Sequence, residues 1–221
     1  MNDRRAFAYL AFIVTLIVPI IVHAEGDPGR GLVLAAQCQN CHGDAGENRI
    51  EGFPNLANQK YNYLVKQLRE MRTSAKLRAG FTSYVESDDR ALARSRRSNE
   101  IMDPFVIDLT DQEIEDLSAY YANQPCSAVM TDTPLPAPKF DVRCQVCHGK
   151  LGISRNKNMP NIAGQDALYL EQQLLAFKSG KIEEGDGLET RRAPIMESQV
   201  RHLSEQDIKD ISLYYSRLPC R

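Results

Sequence analysis

The chain has 221 residues, of which 43% are hydrophobic and 25% are charged, and its formal net charge at pH 7 is −2. This is the composition of a globular protein that is long enough for one large or two small hydrophobic cores. It lacks the basic excess of a nucleic-acid-binding protein, so we expect no nucleic-acid partner. The charge is unevenly divided, because residues 25–128 carry 12 basic and 16 acidic side chains whereas residues 129–221 carry 13 and 12.

The first 24 residues predict an export segment. Arg4 and Arg5 precede an apolar run over residues 6–22, and Val-His-Ala at 22–24 fits a small-residue cleavage site. The run is longer than a usual signal core and just shorter than the roughly 20 apolar residues that span a bilayer comfortably. Two interpretations stay open: a signal peptide that is cleaved after Ala24, or a retained N-terminal membrane anchor over residues 1–24.

Two pentapeptides of the form Cys-x-x-Cys-His occupy residues 38–42 and 144–148. In such a motif both thiols can form thioethers to the vinyl groups of a porphyrin, and the adjacent His can bind the iron. The motifs therefore predict two covalently bound haem c groups. A zinc site could use the same residue types, but it would need further thiolates or imidazoles nearby, and these are scarce. The predicted attachment residues are Cys38, Cys41, Cys144 and Cys147, and the predicted proximal iron ligands are His42 and His148.

The chain is an internal tandem repeat. The offset that aligns the haem motifs also aligns residues 53–59 with 159–165, where Pro-Asn-Leu-Ala-x-Gln matches Pro-Asn-Ile-Ala-Gly-Gln. Further downstream residues 109–112 match 203–206, with a smaller offset. Such self-similarity indicates one duplicated domain, and closely spaced prolines mark the junction. We predict a first domain over residues 25–128, a proline-rich linker over 129–140 and a second domain over 141–221.

Apolar residues recur at helical spacing in both repeats. Ile114, Leu117 and Tyr121 form such a stripe near the end of the first repeat, and residues 208–215 form its counterpart in the second. Thr110 fits a helix N-cap, with Glu113 three positions later as in a capping box. No segment has the alternation of a strand, so we expect an all-α protein.

The second axial ligand of each iron separates an electron carrier from a catalyst with an open iron site. Beyond the export segment the chain has one further His besides the two in the motifs, so two bis-His haems cannot form within one chain. Met102 and Met196 occupy equivalent loop positions before the last helix of each repeat and are the predicted ligands. The remaining His202 matches Asp108 of the first repeat, which favours a surface position.

Pro54 and Pro160 each follow the motif His by 12 residues. Their loops could place a backbone carbonyl against the His Nδ1 atom and so orient the imidazole. A plain turn is the alternative interpretation.

Together, the paired haem motifs, the repeated Pro-Asn segments, the paired Met residues and the Tyr-Tyr pairs of the last helices resemble the cytochrome c4 family over residues 29–219. This resemblance implies two tandem class I cytochrome c domains, packed about a pseudo-two-fold axis with their haem edges close together. It also implies a periplasmic role in passing electrons between a quinol-oxidising complex and a terminal oxidase. The N-terminal segment leaves two forms open there: a soluble protein, or one anchored to the inner membrane by the uncleaved segment.

Two features depart from the family pattern. Residues 29–38 can form the N-terminal helix usual for the fold, but the equivalent residues 134–140 are rich in proline, so this helix should be shortened or lost. The first repeat also has an additional segment that contains Arg90, Arg94, Arg96 and Arg97. These arginines could bind haem propionates or a partner, or form a solvated face.

Cys126 and Cys220 are equivalent in the repeat, and each follows a Pro at the end of the last helix. A pseudo-two-fold arrangement could bring them together, and we predict a disulfide between them, as is common in oxidising compartments. Free thiols or a bond to another chain are the alternatives.

The leading functional hypothesis is an electron carrier, not an enzyme, between a quinol-oxidising complex or dehydrogenase and a terminal oxidase. The alternative is a tightly bound di-haem cytochrome subunit of a periplasmic dehydrogenase, such as a flavoprotein sulfide dehydrogenase. A di-haem peroxidase is disfavoured, because it needs an iron site open to peroxide and both repeats carry a Met.

Overall fold

The computed structural model describes residues 26–48, 50–81, 97–127, 135–179 and 190–220. The predicted export segment, residues 129–134 of the linker and the arginines Arg90, Arg94 and Arg96 lie outside this part of the chain. Within it the helices are α1 (Pro28–Ala35), α2 (Gln39–His42), α3 (Tyr61–Arg78), α4 (Asp103–Val106), α5 (Asp111–Ala122), α6 (Asp141–His148), α7 (Ala167–Ser179), α8 (Pro194–Val200) and α9 (Glu205–Ser216).

Three short elements complete the described fold: a 3-10 turn over Asp44–Gly46 and the two-residue strands β1 (Arg97–Ser98) and β2 (Thr190–Arg191). The expectation of an all-α chain with two tandem domains is confirmed. No helix of the described ranges is long and apolar enough to span a bilayer.

Each domain has its own apolar core. In the first domain the core lies among α1, α3 and α5, and Ile114, Leu117 and Tyr121 are buried in it, as their spacing predicts. In the second domain α7 packs against α9, and Ile208 and Tyr215 are buried there. The two cores are separate clusters, so each domain buries its own apolar side chains.

The helix α1 is fixed to α5 by a buried carboxylate. Gly31 allows the close approach, because a Cβ atom there would lie 2.1 Å from the Asp116 carbonyl oxygen. The Asp116 side chain accepts hydrogen bonds from the Asp27 N–H at 2.7 Å and from Arg30 Nε at 2.6 Å. The Arg30 guanidinium holds the pKa of Asp116 below its usual range, mainly through this hydrogen bond.

The second domain has no counterpart of α1 in the described residues. The helix α6 begins only at Asp141, and residues 135–138 before it are not helical. Proline cannot donate a backbone hydrogen bond and disfavours a helical residue before it, which explains the loss. Asp210, the repeat equivalent of Asp116, is accordingly exposed. The expectation that this helix is shortened or lost is confirmed, because residues 135–140 are not helical.

The last helix of each domain begins at a capping box. The Thr110 side chain accepts from the Glu113 N–H and the Glu113 carboxylate accepts from the Thr110 N–H, and Ser204 and Asp207 repeat this arrangement before α9. Both boxes satisfy N–H groups that a helix start leaves without an intrahelical partner.

The repeated Pro-Asn-x-Ala-x-Gln segments meet each other at the domain interface. Gln165 Oε1 accepts from the Asn55 N–H at 2.7 Å, and Gln165 Nε2 donates to the Asn55 carbonyl at 2.9 Å. Gln59 makes the same two bonds with the backbone of Asn161, both at 2.8 Å. This reciprocal exchange has the pseudo-two-fold symmetry that the resemblance implies.

The strands β1 and β2 pair antiparallel across the interface, with Arg97 opposite Arg191. Arg97 is 5% exposed and donates to Gln67 of its own domain at 2.5 Å and to the Tyr169 hydroxyl of the other domain at 2.7 Å. The solvated face considered for the arginine cluster is therefore wrong for Arg97, because this side chain is buried against the second domain.

Arg191 mirrors these contacts from the second domain. It donates to Gln173 of its own domain and to the Tyr63 hydroxyl of the first domain, and its guanidinium lies 4.5 Å from the Phe177 ring centroid. We call Arg97 and Arg191 the arginine pair.

A disulfide joins the C-terminal ends of the two domains. It links Cys126 to Cys220, whose Cα atoms are 5.8 Å apart. Beside it, Asn58 Nδ2 of the first domain donates to the Cys220 carbonyl at 2.6 Å. The bond and its flanking contact thus hold the same interface as the exchanged segments.

Candidate haem sites

The proximal His of each motif is buried and oriented by a proline carbonyl. His42 is 6% exposed and its Nδ1 atom lies 3.0 Å from the Pro54 carbonyl oxygen, while His148 is 7% exposed with Nδ1 at 2.9 Å from the Pro160 oxygen. A carbonyl can only accept, so Nδ1 carries the proton and Nε2 keeps the lone pair that binds iron. Burial lowers the pKa of both imidazoles, which favours the neutral, metal-binding form.

The chain leaves each motif through a glycine with positive φ. Gly43 has φ +74° and Gly149 has φ +83°, and a Cβ atom on either would lie within about 2.1 Å of a backbone oxygen. These positions therefore require glycine. The turn ends the motif helix at the His and sends the chain into the loop whose proline carbonyl returns to it.

The four motif cysteines are half-buried thiols outside any disulfide. Burial raises the pKa of the Cys38 thiol, and it raises that of Cys144 to about 11. A structural zinc site needs thiolates and a tetrahedral ligand set. No group of three or more His, Cys, Asp or Glu side chains able to hold a metal ion occurs in the described part of the chain.

The two Met residues pack against corresponding cores, but the expected loop position is wrong for Met196, which lies within a helix that begins at Pro194. Met102 precedes α4 and packs against the core that also contacts Cys38. Met196 lies in α8 and packs against the core that also contacts Cys144. Both are half-buried, whereas His202 is exposed and accepts a hydrogen bond from Arg201. The residues around each motif thus fit a covalently held haem with a thioether available as second ligand.

The arginine pair contributes to the lowered pKa of both imidazoles. After burial, which acts most strongly, the guanidinium of Arg97 also lowers the pKa of His42, while the bond to Pro54 opposes the shift. Arg191 acts in the same way on His148. The sequence pointed to Arg97 only as part of a cluster and did not single out Arg191. Arg97 and Arg191 occupy equivalent positions before the Met of each repeat, and this equivalence was the sequence signal that could have identified Arg191.

One buried acid near the second motif was not predicted. Asp141 is the first residue of α6, is 3% exposed and accepts a hydrogen bond from the Tyr215 hydroxyl at 2.5 Å. Burial and this bond raise the pKa of Tyr215 above its ordinary value. The spacing of Tyr215 predicted only a core residue, and the available signal was an acid three positions before a haem cysteine.

A family model described as cytochrome c matches residues 27–124 and 139–218. The chain is 30% identical to cytochrome c4 of Thiocapsa roseopersicina, an alignment that covers 87% of this chain and 93% of the relative. This chain belongs to the cytochrome c4 family.

Further relatives support this family assignment. Cytochrome c4 of Pseudomonas aeruginosa is 29% identical over 95% of this chain and 97% of its own length. The crystal structure of reduced recombinant cytochrome c4 from Pseudomonas stutzeri superposes with a TM-score of 0.66 at 29% identity, covering 88% of this chain and all of that one. The thiosulfate dehydrogenase electron acceptor of Stutzerimonas stutzeri is 26% identical over 83% of this chain and 80% of its own.

The family fixes the cofactor and the class of function. The chain is a di-haem c-type cytochrome with two covalently bound haem c groups, and it is an electron-transfer protein rather than an enzyme. Its partners are accordingly redox proteins.

Proposed function

We propose that this cytochrome carries electrons in the periplasm between a quinol-oxidising complex or dehydrogenase and a terminal oxidase. In this proposal Cys38, Cys41, Cys144 and Cys147 hold the two haems, and their irons are bound by His42 with Met102 and by His148 with Met196. The observation that carries it is the bond of each buried His Nδ1 to a proline carbonyl, which leaves Nε2 for the iron in both domains.

Thioether ligation suits this role. A Met ligand raises the reduction potential and fills the position that a substrate would otherwise occupy, so a six-coordinate iron exchanges electrons without binding a substrate. The two domains, proposed over residues 25–128 and 141–221, then form one two-haem path. The exchanged interface segments follow directly after the prolines that orient the His residues, so each proximal loop is braced by the other domain.

Cyanide binding tests the closed iron sites. The ferric protein should bind cyanide slowly, because cyanide must displace a Met sulfur from each iron. Rapid binding by either haem would show an open site and contradict the proposed ligand set. A Met102→Ala variant serves as the positive control, since it should bind cyanide rapidly at one haem only.

A second candidate is a cytochrome that serves a periplasmic dehydrogenase. The similarity to proteins named thiosulfate dehydrogenase electron acceptor favours this candidate over the flavoprotein sulfide dehydrogenase considered from sequence. Rapid-mixing experiments that compare reduction by a thiosulfate dehydrogenase with reduction by a quinol-oxidising complex distinguish the two. The faster donor identifies the role, and no reduction by either would contradict both.

We propose a periplasmic location, with residues 1–24 either removed on export or kept as an anchor to the inner membrane. N-terminal sequencing of the membrane and soluble fractions distinguishes these outcomes. A mature chain that begins at Glu25 in the soluble fraction supports cleavage.

A further inference from the structure

The motif helix of the second domain exposes two apolar side chains. Val142 is 75% exposed and Val146 is 81% exposed. They lie four positions apart on α6, so they share one face of the helix. The proposed haem attachment residues Cys144 and Cys147 are half-buried in the same helix. The exposed face therefore belongs to the helix that would hold the second haem.

Exposed cations lie next to this face. The loop after α6 is held at the end of the helix, because Ser154 Oγ donates to the Cys147 carbonyl at 2.8 Å. Every lysine and arginine from residue 139 to residue 157 is exposed, whereas the one acid of this stretch, Asp141, is buried. None of these cations forms an ion pair with another described residue. We define the cationic surface as Val142 and Val146 together with Lys139, Arg143, Lys150, Arg155 and Lys157.

The first domain lacks this surface at the equivalent positions. Four of the five cations are absent there, and only Arg155 aligns with another cation. Two charges are reversed, because the exposed Asp44 aligns with Lys150 and the exposed Glu51 aligns with Lys157. Both domains nevertheless end the motif helix at the same glycine turn. The fold therefore does not require the cations.

We propose that the cationic surface binds an acidic surface of a redox protein partner. Complementary charge steers such a partner to the encounter, and burial of the two valines then stabilises the complex. An apolar centre with a polar rim is the usual anatomy of a protein interface. A partner bound there is separated from the far side of α6 by about one helix diameter, 10 to 12 Å. The inference rests on the proposed function, because it names the partner chemistry of an electron carrier.

Two other occupants fit the surface less well. An anionic membrane needs a larger apolar face than α6 offers, since this helix has eight residues and exposes two valines. A second copy of the chain could place Asp44 and Glu51 of its first domain on the cationic surface. That contact would cover the helix of the second haem and block the approach of a redox partner. The location beside the haem motif therefore favours a redox protein.

Stopped-flow oxidation of the full haem-loaded protein tests the proposal. The probe is plastocyanin, a copper electron-transfer protein with an acidic surface patch. One electron passes from a ferrous haem to its Cu(II), which leaves a ferric haem and Cu(I). Arg143→Gln combined with Lys150→Gln should lower the second-order rate constant about fivefold at low ionic strength, because steering by charge is weakened. Removal of cations favours ferric haem, so it cannot slow this step through the driving force. At about 1 M salt, where the screening length is about 3 Å, the rate constants should converge.

Arg201→Gln combined with Lys209→Gln is the matched control, because it removes two exposed cations from the same domain. The control should change the rate constant less than about twofold. Val142→Ser tests the apolar part of the surface with cadmium-substituted plastocyanin, which binds but accepts no electron. The dissociation constant should rise about threefold at every ionic strength, because salt does not screen apolar burial.

Two results with plastocyanin overturn the inference. One is an equal rate constant for the Arg143 and Lys150 double variant and its control, and the other is a rate constant of the unaltered protein that does not fall as salt is added. Analytical ultracentrifugation at low salt and sedimentation with phosphatidylglycerol vesicles test the other occupants. If the double variant abolishes self-association or vesicle binding and leaves oxidation by plastocyanin unchanged, the surface binds a second copy or a membrane instead.

A small cationic oxidant separates this failure from a failure of the proposed function. Tris(phenanthroline)cobalt(III) accepts one electron and does not need an acidic docking surface. If the ferrous protein reduces the cobalt complex rapidly and the plastocyanin results are negative, only the docking surface is wrong. If the protein reduces neither oxidant, the proposed electron carrier is wrong as well.

Discussion

Replacement of Gln59 by Ala should destabilise the interface between the domains. The Gln59 side chain is 7% exposed, donates to the Asn161 carbonyl and accepts from the Asn161 N–H, both at 2.8 Å. It also accepts from the Lys60 N–H at 2.9 Å. The substitution leaves the two buried groups of Asn161 without these partners, and each such group costs about 1 to 3 kcal/mol. Because water can reach part of the opened site, we expect a loss of about 2 to 4 kcal/mol in the free energy of unfolding.

Denaturant unfolding of the oxidised, haem-loaded protein measures this loss, followed by absorbance of the haem and by circular dichroism of the helices. Gln124→Ala is the matched control, because Gln124 is only half-buried and its side chain donates to the Tyr120 carbonyl within the first domain, away from the exchanged segments. This control should change stability by less than about 1 kcal/mol. If Gln59→Ala costs no more than Gln124→Ala, the exchanged segments do not hold the domains together.

Three further predictions concern the disulfide between the domains, the core of the first domain and the arginine pair. Removal of the disulfide by Cys126→Ser should lower the free energy of unfolding by about 4 to 5 kcal/mol in the chain-entropy model, since the bond closes a loop of 94 residues. Denaturant unfolding of the unaltered protein with and without reductant measures this loss. Equal unfolding midpoints would contradict the prediction. Asp116→Asn should lower stability near pH 7. The pKa of Asp116 is depressed when folded, so its contribution is present above the unfolded pKa of about 4 and is lost as pH falls through the folded value. The free energies of unfolding of the variant and the unaltered protein should therefore converge at acidic pH. A difference between them that stays constant with pH would contradict this prediction. Arg191→Gln should lower the reduction potential of the second haem, because a cation favours ferrous iron. Arg201→Gln, which removes an exposed cation of the same domain, is the control. Equal changes of this reduction potential in both variants would contradict the prediction.

The sequence predicted well those features that depend on neighbouring residues. The stripe of Ile114, Leu117 and Tyr121 and the capping box at Thr110 each involve residues within a few positions of one another, and the structure has both as expected. Helical periodicity and capping are local properties of the chain, so they can be recognised without knowledge of the tertiary fold. The loss of the second N-terminal helix followed in the same way from local proline chemistry.

The features that were missed depend on residues about 100 positions apart. The repeat identified the Pro-Asn-x-Ala-x-Gln segments but could not show that Gln165 binds the backbone of Asn55 in the other domain. The strands β1 and β2 have two residues each, which is too short for any alternating pattern. The burial of Arg97 and the roles of Arg191 and Asp141 follow from how the domains and helices pack, and composition alone favours exposed positions for such residues.

The near-infrared absorption of the oxidised protein tests the central claim most directly, because the sulfur-to-iron charge-transfer band reports a Met ligand on ferric haem. Normalised to haem content, the unaltered protein should show the band at the strength of two Met-ligated haems. Met102→Ala and Met196→Ala should each remove half of it, and the double variant should remove all of it. A band that is absent from the unaltered protein, or that keeps its full strength in either single variant, would contradict a two-haem electron path with His and Met ligands in both domains.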